Sequence, residues 1–179
     1  MPDPVDPLAL VASLLNDYAS REFPLTRQRE CEKDRAAALL NTSAAKLFPK
    51  SNMSEAAVSG LLLLLGCWDE SHTVSQDLET AEGSYWHGIA HRIEPDASNS
   101  AYWFRRVGSH PIFPDLRDRT VQILNAAPNA GWRVSKVWDP FLFIEWCDEA
   151  RRLPGSVKEK VALKIQRTEW DLLYAWCAR

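Results

Sequence analysis

The chain's longest apolar run, Ala56 to Trp68, reads AAVSGLLLLLGCW and contains Leu61–Leu65 without interruption. A membrane-spanning helix needs about 20 predominantly apolar residues, and this run is shorter and broken by Ser59, Gly60 and Gly66. A helix that is apolar all round has no face to offer water, so it belongs at the centre of a packed core. The rest of the chain must therefore supply helices, or strands, that wrap this segment.

The remaining punctuation favours helices. Asp6-Pro7 and Asp139-Pro140 each pair a cap residue with a proline suited to the first turn. The first opens a stripe of Leu8, Val11, Ala12, Leu15 and Ala19. The second opens one of Phe143, Trp146, Cys147, Ala150 and Leu153. A polar helix is expected over Arg27–Leu47, stopping before Pro49, and Ser54 is expected to cap the apolar helix. Ser156 is expected to cap a last helix with the stripe Val157, Val161, Ile165, Thr168, Leu172 and Trp176. Strand signals are confined to GWRVSKVW, where Trp132 and Val134 alternate. The predicted fold is an all-α bundle of about six or seven helices with a loop-rich central segment, one domain spanning residues 1–179. The alternative is α+β with one small hairpin near residues 109–137.

At 179 residues the chain can bury enough surface to fold without a metal or disulfide staple. A formal charge of -3 argues against nucleic acid or an anionic membrane as the main partner. The opening MPDPVDPLAL has no basic residue and no apolar signal core. Cys31, Cys67, Cys147 and Cys177 form no CxxC pair. With no export signal, the expectation is four reduced, buried thiols in a soluble cytoplasmic protein.

All four histidines fall between positions 72 and 110, and residues 68–110 also carry seven acids, Asp69, Glu70, Asp77, Glu79, Glu82, Glu94 and Asp96. A helix over Ser84–Glu94, capped by Ser84 and ended by Pro95, puts Tyr85, Trp86, Ile89, Ala90 and Ile93 on one apolar arc. His87, His91 and Glu94 form a stripe at its edge. Histidines at i and i+4 can ligate one ion, although Gly88 stands where a zinc peptidase carries its general base, which excludes that assignment. The predicted metal ligands are His87, His91 and a third residue, with Glu82 first and Glu70, His72 or His110 as alternatives. Two histidines and a carboxylate suit iron, manganese or zinc. Glu70 and His72, read as lying in a loop, form the candidate acid–base pair. Trp86, Tyr102, Arg105 and Arg106 are the candidate substrate-binding residues, the two arginines because a guanidinium recognises anionic groups. Internal ion pairing of Arg92, Arg105 and Arg106 with the neighbouring acids is the plainer alternative.

GxGxxG, GxxxxGK[ST] and GxSxG are all absent, and glycine numbers only seven, which disfavours nucleotide cradles and the α/β-hydrolase elbow. The sequence thus points to an enzyme acting on a small polar molecule, metal-assisted or acid–base, with its site in residues 69–110. A non-catalytic ligand-binding protein using the same cleft, and a helical scaffold with a structural polar network, are the alternatives.

Overall fold

The computed structural model describes residues 6–27 and 30–179. The opening MPDPV, and Gln28 and Arg29 within the expected polar helix, lie outside the described residues. The described chain is helical, with no strand, in the order α1 (Pro7–Asp17), α2 (Lys33–Leu40), α3 (Ala44–Leu47), α4 (Ser54–Leu64), α5 (Trp68–Gln76), α6 (Ala81–Ile93), α7 (Ala97–Val107), α8 (Phe113–Asn125), α9 (Pro140–Arg151) and α10 (Val157–Cys177). A single 3-10 turn, Pro128–Ala130, follows α8. The hairpin of the alternative α+β reading is not formed among the described residues. Trp132 instead stacks on Trp146, centroids 4.7 Å apart, and holds residues 131–139 against α9 as irregular chain.

Helix α4 is the centre. Every residue from Ala56 to Leu64 is buried, and α3, α5, α6 and α10 pack around it. It stops at Gly66, whose φ of 75° is the left-handed conformation that ends a helix most readily in glycine. The amides of Gly66 and Cys67 then return to the carbonyls of Leu63 and Leu62, at 3.0 and 2.9 Å. This tight reversal delivers Cys67 and Trp68 directly into α5.

Several caps fall where the sequence places them. Asp6, Asp139 and Ser156 each accept an amide of the helix that follows, as Asp96 does ahead of α7. Others do not. The span expected as one polar helix is split by Asn41-Thr42-Ser43, side chains that compete for backbone bonds and favour turns. Ser54 is the first residue of α4 and not its cap. Thr80, not Ser84, starts α6: its hydroxyl accepts from the Gly83 amide at 3.0 Å, while Ser84 is buried a turn later. The buried face of α1 is Val11, Leu14 and Tyr18, with Leu8 more than half exposed. On α10 the inner face includes Val161 and Ile165 but also Gln166 and Glu169, and Val157 is exposed.

Those polar residues meet Arg92 of α6. Arg92 and Glu169 are an ion pair with both side chains fully buried. Arg92 Nε donates to Gln166 Oε1 at 3.1 Å, and the Tyr85 hydroxyl donates to Glu169 Oε1 at 3.0 Å. Burial alone would lower the Arg92 pKa, but the Glu169 carboxylate more than offsets it and holds the guanidinium above its ordinary value. Burial and the same carboxylate push the Tyr85 phenol well up. The internal ion pairing expected for Arg92 is thus formed, but with an acid 77 residues away rather than a neighbour.

The expectation of four reduced thiols is overturned for one pair. Cys31 and Cys67 form a disulfide, and Cys147 and Cys177 are free and buried. Sequence spacing of 36 residues gave no sign of it, because the α4–α5 reversal brings Cys67 back beside the chain entering α2. The expectation of reduced thiols followed from the lack of an export signal, and for this pair it fails. No helix among the described residues is long and apolar enough to cross a membrane.

Candidate metal centre

Helix α5 is built from WDESHTVSQ, a segment with little apolar content. Asp69 and Glu70 lie in its first turn, where carboxylates suit the positive end of the helix. Its buried face is Ser71 and Ser75, four residues apart. Ser71 exchanges hydroxyl contacts with Ser59 of α4, Oγ to Oγ at 2.9 Å. Small side chains let α5 lie close to α4, and one residue beyond Ser71 the chain presents His72 to α6.

Helix α6 is buried continuously from Gly83 to Ile93. The stripe of His87 and His91 is therefore covered rather than set at the rim of a cleft: α5 closes it on one side and α7 on the other. Gly88 makes the second closure possible. A Cβ at that position would meet the Phe104 ring carbons at 2.9 Å, so only glycine lets α7 approach this far. His87 and His91 are 1% and 4% exposed, and His72 is half-buried.

The three rings converge. One possible ligand atom from each of His72, His87 and His91 lies within 4.8 Å of the other two. Some point among them is then within about 2.8 Å of all three nitrogens, against about 2.0–2.1 Å for a zinc–imidazole bond. Closing that gap takes a shift of under about 1 Å per ring, within the reach of small side-chain rotations. Trp68 stacks on His72 with centroids 4.6 Å apart, His72 on His87 at 4.1 Å, and His87 on Trp103 at 4.0 Å. His91 stands edge-on to His72 at 5.1 Å.

Hydrogen bonds fix which nitrogen is free. The Ser75 hydroxyl donates its one proton to the Ser71 carbonyl at 2.8 Å, so its oxygen accepts from His87 Nδ1–H at 3.1 Å. The Glu94 carboxylate can only accept, so His91 Nδ1–H donates to Glu94 Oε2 at 3.0 Å. In the neutral form of each ring this leaves the lone pair on Nε2. Outer partners of this kind orient metal-binding imidazoles and raise their basicity. Burial, followed by the neighbouring His72 and His91 rings, pulls His87 down to about 3, with a bond to the His72 backbone opposing. Burial also lowers His72, aided by His91 and opposed by Glu94 and Asp69. Neutral imidazole is the form that binds a metal.

Arg27 steadies the outer edge. Its guanidinium lies 4.1 Å over the Trp68 ring, and it pairs with Asp69 at 3.2 Å and Glu94 at 3.7 Å.

Other predicted residues are placed elsewhere. Glu70 and His72 stand two apart on a helix and so project about 200° from each other. Glu70 lies 4.0 Å from Cys31 Sγ, in a cleft of about 350 Å3 on the far side of Trp68. Glu82 and His91 are nine residues apart on α6, which places them on opposite sides. Glu82 accepts from Trp176 Nε1 at 3.0 Å and faces His110 Nε2 at 3.5 Å. Trp86, although next to His87, points into the core against Trp170 and is fully buried. Tyr102 is exposed, its ring edge-on to Trp103 at 5.5 Å. Arg106 lies 5.1 Å over the Trp103 ring, whereas Arg105 lines a different cavity. Neither arginine pairs with an acid among the described residues.

Sequence reasoning did not single out Ser75, Trp68 or Arg27. The signal for the first two was present: Trp68–His72 and Ser71–Ser75 are both i, i+4 pairs, visible once DESHTVSQ is read as a helix.

Compared with known protein families, with curated proteins and with solved structures, the chain shows no significant match in any of the three.

Proposed function

We propose that the protein is a metal-dependent enzyme acting on a small polar molecule, with one zinc ion held by His72, His87 and His91. The observation that carries this reading is the convergence of three imidazoles, two of them with Nδ1 committed to Ser75 and Glu94. In place of the expected pair of histidines with Glu82, this reading uses three imidazole nitrogen donors, a set that suits zinc better than iron or manganese. Three protein ligands leave a coordination position for water or substrate, and an ion so held lowers the pKa of bound water toward neutrality. Hydrolysis or hydration at a polarised carbonyl-type centre is the chemistry that follows. Arg106, held over the Trp103 ring that packs on His87, is the cation proposed to meet an anionic group of the substrate.

The competing reading is a purely structural aromatic column, favoured by Trp68 and Trp103 closing both ends of the His72–His87 stack. Cobalt(II) substitution separates the two. The expected result is an intense visible spectrum of four-coordinate cobalt that changes on addition of azide, because azide takes the open position. A cobalt spectrum insensitive to azide would mean a closed, structural ion, and no cobalt spectrum at all would leave the column without a metal.

A further inference from the structure

A cavity of about 960 Å3 lies between the α7–α8 turn and the segment leading into α9, and none of the three clustered histidines lines it. Its floor is aromatic. Phe104, His110 and Phe113 line it, and all three rest edge-on against Tyr85 of α6, at 5.2, 5.2 and 5.8 Å. Val137 and Phe141 form part of the opposite wall and remain exposed to water, at 71% and 38%. A volume near the upper end of the range for small-molecule sites, walled by rings, is suited to a flat apolar body.

The charges around it are unbalanced. Arg105, Arg117 and Lys136 line the cavity with two acids, Asp118 and Asp139. Both acids are already engaged. Asp118 takes Arg117 Nη1 at 2.8 Å, and Asp139 caps α9 through the amides of Phe141 and Leu142, at 2.9 and 3.2 Å. Neither Arg105 nor Lys136 forms an ion pair among the described residues, and the lining holds three cations against two carboxylates. Arg117 Nε also donates to the Ser135 carbonyl at 3.1 Å, which ties the segment carrying Lys136 to α8 and fixes its position. His110 Nδ1 accepts from the Ile112 amide at 3.3 Å, and its buried Nε2 lies 3.5 Å from Glu82 Oε1 without a hydrogen bond.

We infer that this cavity is a second ligand site, for a small molecule that joins a flat apolar or aromatic body to an anionic head such as a carboxylate or sulfonate. Two unpaired cations over an apolar floor, in a chain of net charge -3, select for negative charge, and the aromatic walls select for the body. The site is independent of the histidine centre, and its failure would leave that reading untouched.

Fluorescence titration with 1-anilinonaphthalene-8-sulfonate, beside its uncharged analogue N-phenyl-1-naphthylamine, tests it. The full chain should bind the sulfonate saturably at one per chain. The charge-reversed variant Arg105→Glu, Lys136→Glu should weaken it by about tenfold or more, with the uncharged probe changing by less than about twofold. The charge-conserving Arg105→Lys, Lys136→Arg variant should retain affinity. Thermal melts show whether the reversed variant folds. If it does not, the wild-type protein decides: sulfonate affinity should fall with added salt while affinity for the uncharged probe does not. Three results overturn the inference: no saturable binding of the sulfonate, equal loss of both probes on charge reversal, or sulfonate affinity indifferent to both charge reversal and salt.

Discussion

Replacing Glu169 by Gln should destabilise the protein far more than a near-isosteric change normally does. The carboxylate is fully buried, accepts from Tyr85 and pairs with a fully buried Arg92. Glutamine preserves the shape but presents one acceptor and a donor amide, so the Arg92 guanidinium keeps its charge with no counter-charge near it. Removing one partner of a buried pair costs about 3–5 kcal/mol, a large share of the about 5–15 kcal/mol that holds a typical domain together. For a chain of this length each kcal/mol moves the melting point by about 2–4 °C, so the loss should be about 6–20 °C. Urea unfolding with an unchanged slope would assign the effect to stability alone. Removing the charge from both sides, as Arg92→Met with Glu169→Leu, should recover part of the loss. If Glu169→Gln unfolds within about 1 kcal/mol of wild type, or the double variant is less stable than the single, the pair does not anchor α6 to α10 as argued.

Gly88→Ala should destabilise by about 1–3 kcal/mol despite the better helix propensity of alanine, because its Cβ would sit 2.9 Å from the Phe104 ring and force α6 and α7 apart. Equal or higher stability in urea would show that the helices are not in contact there. Breaking the Cys31–Cys67 bond, by reduction or as Cys31→Ser with Cys67→Ser, should cost about 4 kcal/mol for a loop of 36 residues on the chain-entropy account. An unchanged melting point under reducing conditions would argue that the bond is not formed in solution. The metal-free protein should lose stability as pH falls below about 6.5, the ordinary histidine value. His87 is held down to about 3, with His72 and His110 also lowered, so the unfolded chain takes up protons that the folded one refuses. Between these values the slope from His87 alone approaches about 1.4 kcal/mol per pH unit, and stability flat from pH 7 to 5 would contradict it.

The helical class was legible because its signals are local. The apolar run of Leu61–Leu65, and the caps at Asp6, Asp139 and Ser156, involve residues within a turn or two of each other. His87 and His91 could be paired for the same reason, by spacing on one helix. What sequence could not reach depends on packing between distant segments: the disulfide across 36 residues, and Arg92 finding Glu169 across the core. His72, one of the alternatives for the third ligand, reads first as half of an acid–base pair for a subtler cause. DESHTVSQ lacks apolar periodicity, so it resembles a loop, and a loop would let Glu70 and His72 act together. As a helix it turns Glu70 toward Cys31 and buries Ser71 and Ser75 against α4 and α6. That orientation aims His72 at His87 and His91.

Calorimetric titration of the metal-free protein with zinc tests the account at its centre. One ion per chain should bind, and free zinc at about one hundred times the dissociation constant should stabilise the fold by about 2.7 kcal/mol. His72→Ala, His87→Ala and His91→Ala should each abolish or strongly weaken that binding. Glu82→Gln should leave it intact, because Glu82 faces Trp176 and His110 on the opposite side of α6. Wild-type protein that takes up no zinc, or a triple histidine variant that binds it as well as wild type, would contradict the proposed centre.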